Sequence, residues 1–382
     1  MPRLMPTAIA EKETSSIQFV ASPSLDLMNA MYFTSLAPQL EGVEGWPVRL
    51  RGEMAPELLA ELDSLYNYPA GDPGIMGTLG DNLFVHPETW RSVDALISYV
   101  EEMPDGIGDP ERAPGIQGLI YQAVFRYPDE VDRALYSGMP QREAIEQRLR
   151  SLDDRDADAI MPYYDHPAEL RGRMVRLIQR FYADHYAKEM PNRMPALERS
   201  AAMHRAEANT DAEEVARKLQ RRPRSCLEIG CAGWEIPIFV PSMDMGVYNS
   251  CSIVDGVHGM FYQLEPEFIG APVNAEDTRL ARIYRALADE QRLRILRLLR
   301  GREMYSQEIV EATGIHQSVV SRHLTFMKAV GLVNARRQNN MKFFSINSAV
   351  RDDLAGTLDL LAPAARAAAT DKSPRKFDAE SG

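Results

Sequence analysis

The chain has 382 residues, 45% of them hydrophobic, and carries 43 Lys and Arg against 55 Asp and Glu, a net charge of −12. That length and apolar content fit two or three folded domains and exclude a disordered chain, while the acidic balance argues against a general affinity for nucleic acid. No apolar run reaches the roughly 18 residues needed to cross a membrane. Three cysteines give no disulfide framework, and Glu11, Lys12 and Glu13 follow a short mixed start that lacks a secretory pattern. A cytoplasmic protein without membrane contact is expected.

In chain order, Ile17 to Val20 predicts a strand followed by a Leu-rich helix. Pro56 to Tyr66 predicts a helix with Leu58, Leu59, Leu62 and Leu65 on one side. Pro87 to Met103 predicts another, burying Trp90, Val93, Leu96, Ile97 and Val100, and Pro167 to Met190 a third, burying Leu170, Met174, Leu177, Ile178 and Phe181. A polar helix or helix pair spans about Pro195 to Gln220. Loops rich in Pro, Gly and Asp at 69–74 and 104–110 separate these elements, and no internal repeat is present. Between Ser225 and Gln263 the pattern shifts to short strands at Ile236 to Val240, Val247 to Val254 and Met260 to Gln263. The expected fold class is therefore mostly α with an α+β character. Residues 1–220 form an acidic, mainly helical domain suited to receiving a signal, and 221–274 a small β-rich segment that completes it.

Three features of this region carry possible chemistry. Cys226 to Trp234 superficially resembles the first motif of S-adenosylmethionine-dependent methyltransferases, but the close-approach positions hold Ala232 and Trp234. Only about forty residues follow before the next module, too few for a doubly wound domain, so a buried strand and turn is the better reading and no cofactor is implied. Cys226, Cys231 and Cys251, with His258, could converge as a metal or redox sensor, although free cysteines most often serve as small buried side chains. His185, beside Phe181 and Tyr182, fits a hydrogen-bonded core histidine, and His166 and His204 have no partner at metal-binding spacing.

From Ser306 the pattern becomes specific. Ser306 is the expected N-cap of a short helix that Gly314 closes, with Gln307 and Glu308 in its first turn and Ile309 and Val310 supplying apolar side chains. After the turn, Val320, Leu324 and Met327 recur at i, i+4 and i+7 and share an inward face. Gln317, Ser318, Ser321, Arg322 and Thr325 occupy the opposite face, a set of donors and acceptors suited to base edges and phosphates in a major groove. A polar outer face is also what any amphipathic surface helix shows. Here Leu332 to Arg337 and Met341 to Ile346 add two strands around Gln338, Asn339 and Asn340, a hairpin or wing. Arg336, Arg337 and Lys342, with the loop residues Asn339 and Asn340, are expected beside the phosphate backbone.

Ala286 to Leu299, Gln317 to Leu324 and Ala329 to Val333 together resemble the ArsR/SmtB-type winged-helix regulators, over about a fifth of the chain. The three motifs stand in the family's order. The resemblance implies a homodimer on a palindromic double-stranded DNA operator, released by an effector, and it places Gln317, Ser318, Ser321, Arg322 and His323 at DNA. His316 stands where the family commonly has a capping Ser, and histidine is a poor cap. The two cysteines that many metal sensors of the family carry before the turn are absent from Glu303 to Ile309, and the helix expected from Ser348 to Leu361 has no histidine. Metal binding by the winged helix is therefore not expected. Val350, Leu354, Leu358 and Leu361, and separately Leu280, Ile283 and Leu287, form apolar stripes that fit either an intradomain core or, by the resemblance, a dimer interface. Ile17 to Val20, the Leu-rich helix and Val240 to Ser242 are similar to a helical domain of unassigned role fused before such winged helices.

The charge is segregated accordingly. Residues 275–350 carry 13 basic and 7 acidic side chains, whereas 1–274 carry 25 and 42. A basic module at 275–361 is thus joined to an acidic one that DNA would repel unless it faced away. Residues 362–382 read as a disordered tail able to add weak contacts through Lys372, Arg375 and Lys376. A DNA-binding transcriptional regulator, repressor before activator, is the expected function, and not an enzyme. The competing class is a small-molecule-binding protein or methyltransferase-like enzyme that uses the winged helix only to dimerise.

Overall fold

The computed structural model describes residues 17–67, 74–109, 113–125, 135–136, 138–152, 154–207, 212–220, 236–248, 250–265, 268, 275–338, 341–351 and 354–355. The region 226–234, the wing-tip residues Asn339 and Asn340, most of the expected C-terminal helix and the whole tail lie outside these. The fold is mostly α with small sheets.

At the centre of the N-terminal region stands the helix Pro23–Leu36. Ser22 caps it by accepting from the Leu25 N–H at 3.2 Å, and Pro23 occupies its first turn. All but one of its residues are buried, so it has no polar face and must be enclosed on every side. Helices Trp46–Glu53, Pro56–Asn67, Gly74–Asn82, Val93–Glu102, Ile116–Val124, Gln141–Leu152, Asp154–Asp165 and Pro167–Asp184 contribute to the apolar core that surrounds it.

Its polar side chains are satisfied individually. Asn29 donates to Ser242 at 2.6 Å, Thr34 to the Ala30 carbonyl at 2.7 Å and Ser35 to Asp63 at 3.0 Å. Asp26 accepts from Tyr186 at 2.5 Å and from Arg193 at 3.2 Å, while Arg193 also grips Asp244 with bonds of 2.6 and 3.0 Å. The Arg193 guanidinium lies over the Trp46 ring, 4.4 Å from its centroid. Burial, opposed by Arg193, pushes the Asp26 carboxyl up.

A four-stranded sheet lies on this core in the order β1 (Gln18–Phe19), β4 (Ile236–Ser242), β6 (Val257–Gln263), β5 (Ser250–Val254). β1 and β6 run parallel to β4, and β5 is antiparallel to β6. The β5–β6 hairpin turns on Asp255 and Gly256, both at positive φ, as a two-residue mirror-image turn requires. A Cβ on Gly259 would meet the Phe84 ring at 2.4 Å, so that strand position must be glycine. β2 (Gly108–Asp109) and β3 (Ala113–Pro114) form a separate short pair. The strand at the N-terminus and those after 236 thus share one sheet, more than two hundred residues apart in sequence.

Several expected helices differ in extent. Pro87 to Met103 is not one helix: Pro87–Thr89 is a 3₁₀ turn, and the α-helix begins after Ser92, whose hydroxyl accepts from the Ala95 N–H at 3.1 Å. Trp90 sits in the break and donates to the Leu83 carbonyl at 2.7 Å. The helix from Pro167 stops at Asp184, because His185 leaves helical geometry and a 3₁₀ turn follows before Met190–Glu207. His185 is a half-buried residue at a helix end, packed edge-on to Phe181, instead of a core residue. The strand expected from Val247 starts at Ser250, after a turn.

Beyond residue 275 the helices Ala275–Leu287, Glu290–Leu298, Ser306–Thr313 and Gln317–Ala329 enclose a second, smaller core, closed by β7 (Met304–Tyr305), β8 (Val333–Gln338) and β9 (Met341–Ile346) in the order β7-β9-β8. Asp289 caps the second of these helices by accepting from the Arg292 N–H at 2.9 Å. This module rests on the N-terminal region through Glu41, Gly42 and Glu44. Arg292, almost fully buried, donates to Glu41 at 2.7 Å and stacks over Phe326, and Arg285 pairs with Glu44. Gly42 has φ +90°, and a Cβ there would lie 2.9 Å from Phe326 Cε2. Tyr248 supports the loop from behind by donating to the Glu41 carbonyl at 2.6 Å.

Candidate DNA-reading surface

The helix Ser306–Thr313 begins one residue earlier than a Ser306 cap would require. Ser306 is its first helical residue, and the Glu308 carboxylate accepts from the Tyr305 N–H at 2.9 Å. Gly314, at φ +67°, ends it with its N–H donating to the Val310 carbonyl at 2.8 Å. His316, expected to cap poorly, is a working cap of the next helix: its Nδ1 accepts from the Ser318 N–H at 3.3 Å.

Along Gln317–Ala329, Val320, Leu324 and Met327 are buried, as their spacing requires. Gln317, Ser318, Ser321, Arg322 and Thr325 are exposed. His323 departs from the expected DNA face. It is buried, and its Nε2 lies 2.9 Å from Gln291 Oε1. Burial is the main cause that depresses its pKa, assisted by Arg292 and Arg322 and opposed by Asp289 and Glu41. Its place is thus a polar tie beneath the helix. Phe326 is likewise buried, under Arg292 and Gly42.

The wing pairs Val333 with Ile346 and Gln338 with Met341, which leaves a two-residue connection at 339–340. Lys342 is exposed on it. Arg337 lies opposite Lys342 in the ladder. Arg336 is exposed but committed: its guanidinium binds both Glu303 oxygens, at 2.8 Å from Nε, and lies 4.7 Å over the Phe343 ring. That hydrogen bonding raises the Arg336 pKa further. Arg336 therefore braces the wing through Glu303. The third strand β7 that makes this brace possible was not anticipated.

Part of this exposed face also lines a cavity shared with the N-terminal region. Across from Gln317, Ser321, Thr325, Lys328 and Lys342 stands the N-terminal region, and between the two lies a cavity of about 450 Å³. The acidic domain faces the recognition helix and is not turned away from it. Elsewhere, Cys251 lies half-buried on β5, while Cys226 and Cys231 fall outside the described residues. His204, which had no partner at metal-binding spacing, lies 2.6 Å from Glu265. Among the described residues no group of three His, Cys, Asp or Glu side chains could hold a metal, and no helix is long and apolar enough to cross a membrane.

A capped short helix, a left-handed glycine turn, a polar-faced second helix and a β-wing define a winged helix-turn-helix. Residues 289–335 match the family model of the bacterial regulatory proteins of the arsR family. The transcriptional activator HlyU of Vibrio cholerae is 31% identical over 88 residues, which span 22% of this chain and 82% of HlyU. A probable mercury resistance operon repressor of Streptomyces lividans is 41% identical over 75 residues, 20% of this chain and 59% of the repressor. A solved homodimeric winged helix-turn-helix domain from Mycobacterium bovis is 29% identical and covers 24% of this chain and 88% of its own, with a TM-score of 0.20. The chain belongs to the arsR family of transcriptional regulators, through its winged helix.

Proposed function

We propose that the chain is a sequence-specific, homodimeric regulator, a repressor before an activator, whose N-terminal region receives the releasing signal. The observation that carries this reading is the single exposed stripe of Gln317, Ser318, Ser321, Arg322 and Thr325 beside a wing bearing Lys342. In such a module the helix meets base edges in the major groove and the wing meets flanking phosphates. Arg337 stays with the proposed contacts, as do Asn339 and Asn340, which lie outside the described residues and are proposed from the sequence alone, whereas His323 and Arg336 act as supports.

The division of labour follows the charge: residues 1–274 receive the signal and 275–361 bind a palindromic operator. Tyr284, an exposed aromatic on the helix Ala275–Leu287, and half-buried Leu280 and Leu287 on the same helix fit a surface that a second copy covers. The setting is the cytoplasm, where such a regulator meets DNA. HlyU is named an activator and the mercury protein a repressor, so likeness in the winged helix does not by itself fix the sign of regulation.

The test is selection of genomic fragments by the purified full chain, followed by binding of the selected fragment by Arg322→Ala and Lys342→Ala. Both variants should stay folded. Arg322→Ala should lose discrimination between the selected and scrambled fragments, whereas Lys342→Ala should weaken both and reduce the salt dependence. Unchanged binding by both variants would contradict the proposal.

A further inference from the structure

The cavity between the two modules has two chemically different walls. On the side of the N-terminal region it is lined by Met28, Tyr32, Phe33, Tyr66, Met76 and Phe261. Aromatic faces and thioethers of this kind hold a flat apolar ring. The opposite wall is the reading surface itself, Gln317, Ser321, Thr325 and Lys328 with Lys342 from the wing. Those donors and the two ammonium groups suit a phosphate, and equally a carboxylate or sulfonate. Asp81 is the one carboxylate of the lining, and it faces the N-terminal wall near Tyr66, whose phenol is pushed up by burial first and by Asp81 second.

From this pairing of walls we propose that the cavity binds an aromatic acid, and that its occupant and DNA exclude each other. The inference rests on the regulator reading above. At about 450 Å³ the space suits a small organic molecule. It does not suit DNA, because a major groove about 12 Å wide can receive the helix only if the N-terminal region has moved aside. The contacts that hold the covered arrangement are Arg292 with Glu41, Arg285 with Glu44 and Gly42 with Phe326. A guest that touches both walls adds to that set and stabilises the form in which the N-terminal region stands across from part of the proposed reading helix. By linkage it lowers DNA affinity by the same factor as DNA lowers its own. The aromatic acid is then the releasing signal of a repressor.

The probe is 8-anilinonaphthalene-1-sulfonate, an aromatic anion, titrated into the full chain and followed by fluorescence. Saturable binding is expected, weakened about tenfold by Gly80→Leu. Gly80 lines the cavity, lies on the helix Gly74–Asn82, and an added Cβ would meet only Met28 at an ordinary 3.8 Å, so leucine fills the space without threatening the helix. Lys328→Gln combined with Lys342→Gln, a surface pair, should weaken the sulfonate but leave the neutral dye Nile red unaffected. DNA selected by the chain should displace the probe. Equal sulfonate affinity in the wild type and in a folded Gly80→Leu variant, or in the lysine pair, overturns the site. Probe retained at saturating DNA overturns the exclusion. If the chain selects no DNA at all, the regulator reading fails, and the Gly80→Leu and lysine comparisons still decide the cavity.

Discussion

The two modules hold themselves together by different means. The N-terminal region is built around an enclosed helix whose buried charges are matched by residues far away in sequence: Asp26 by Tyr186 and Arg193, and Arg193 in turn by Asp244. The winged helix relies on local rules, with caps at Asp289 and His316, a left-handed turn at Gly314 and an i, i+4, i+7 apolar face. Where stability is local, single changes affect function before folding. Where it is long-range, they affect folding first.

The largest expected effect therefore lies in the N-terminal region. Arg193→Ala strands Asp26 and Asp244 and should cost about 3–5 kcal/mol, read by chemical denaturation. Arg193→Met, which fills the volume but leaves the same carboxylates unpaired, should not recover it. Next comes Arg322→Ala, expected to lose about 1–3 kcal/mol of discrimination at one base pair with no change in melting temperature. Arg336→Ala sharpens that contrast: it should disturb the wing through Glu303 and Phe343 and leave the base preference of the selected site intact.

Between the modules, Gly42→Ala places a Cβ against Phe326 at positive φ, a strain of about 1–3 kcal/mol. It should loosen the covered arrangement and increase both hydrogen exchange in the helix Gln317–Ala329 and affinity for DNA. A decrease in DNA affinity would contradict the idea that the N-terminal region obstructs reading. The smallest effect is a pH dependence at His323. Its pKa is depressed in the fold, so it contributes stability that is fully present above the ordinary histidine value of 6.5 and lost as the pH falls through its lower folded value. Amide protection in the helix Gln317–Ala329 should therefore fall as the pH drops from 6.5 toward that lower value and level off below it, and His323→Gln should flatten the fall.

The difference between the modules also explains what was legible in the sequence. Gly314, the buried Val320, Leu324 and Met327, and the two wing strands follow from local spacing, and so does the exposed stripe from Gln317 to Thr325. His323 was placed at DNA by the family resemblance and not by the stripe, and its angular position brings it to Gln291 instead. Arg336 was assigned by charge alone, and its commitment to Glu303 depends on β7, a two-residue strand too short to carry a period. Asp255 and Gly256 are a hairpin signal legible in the sequence. The cluster of Asp26, Tyr186, Arg193 and Asp244 leaves no pattern, because its members are brought together only by the tertiary fold. The cavity shared with the N-terminal region is of the same kind: segregated charge suggested that the acidic region turns away from DNA, yet it stands across from part of the helix Gln317–Ala329.

The most direct measurement is footprinting of a genomic fragment selected by the full chain, with the wild type and Arg322→Ala compared on the same DNA. Protection of a short palindrome with half-sites about one helical turn apart, lost or made unselective by Arg322→Ala, is the predicted result. Protection without sequence preference, or a footprint identical for the two proteins, would contradict the assignment of this helix as the reader of DNA.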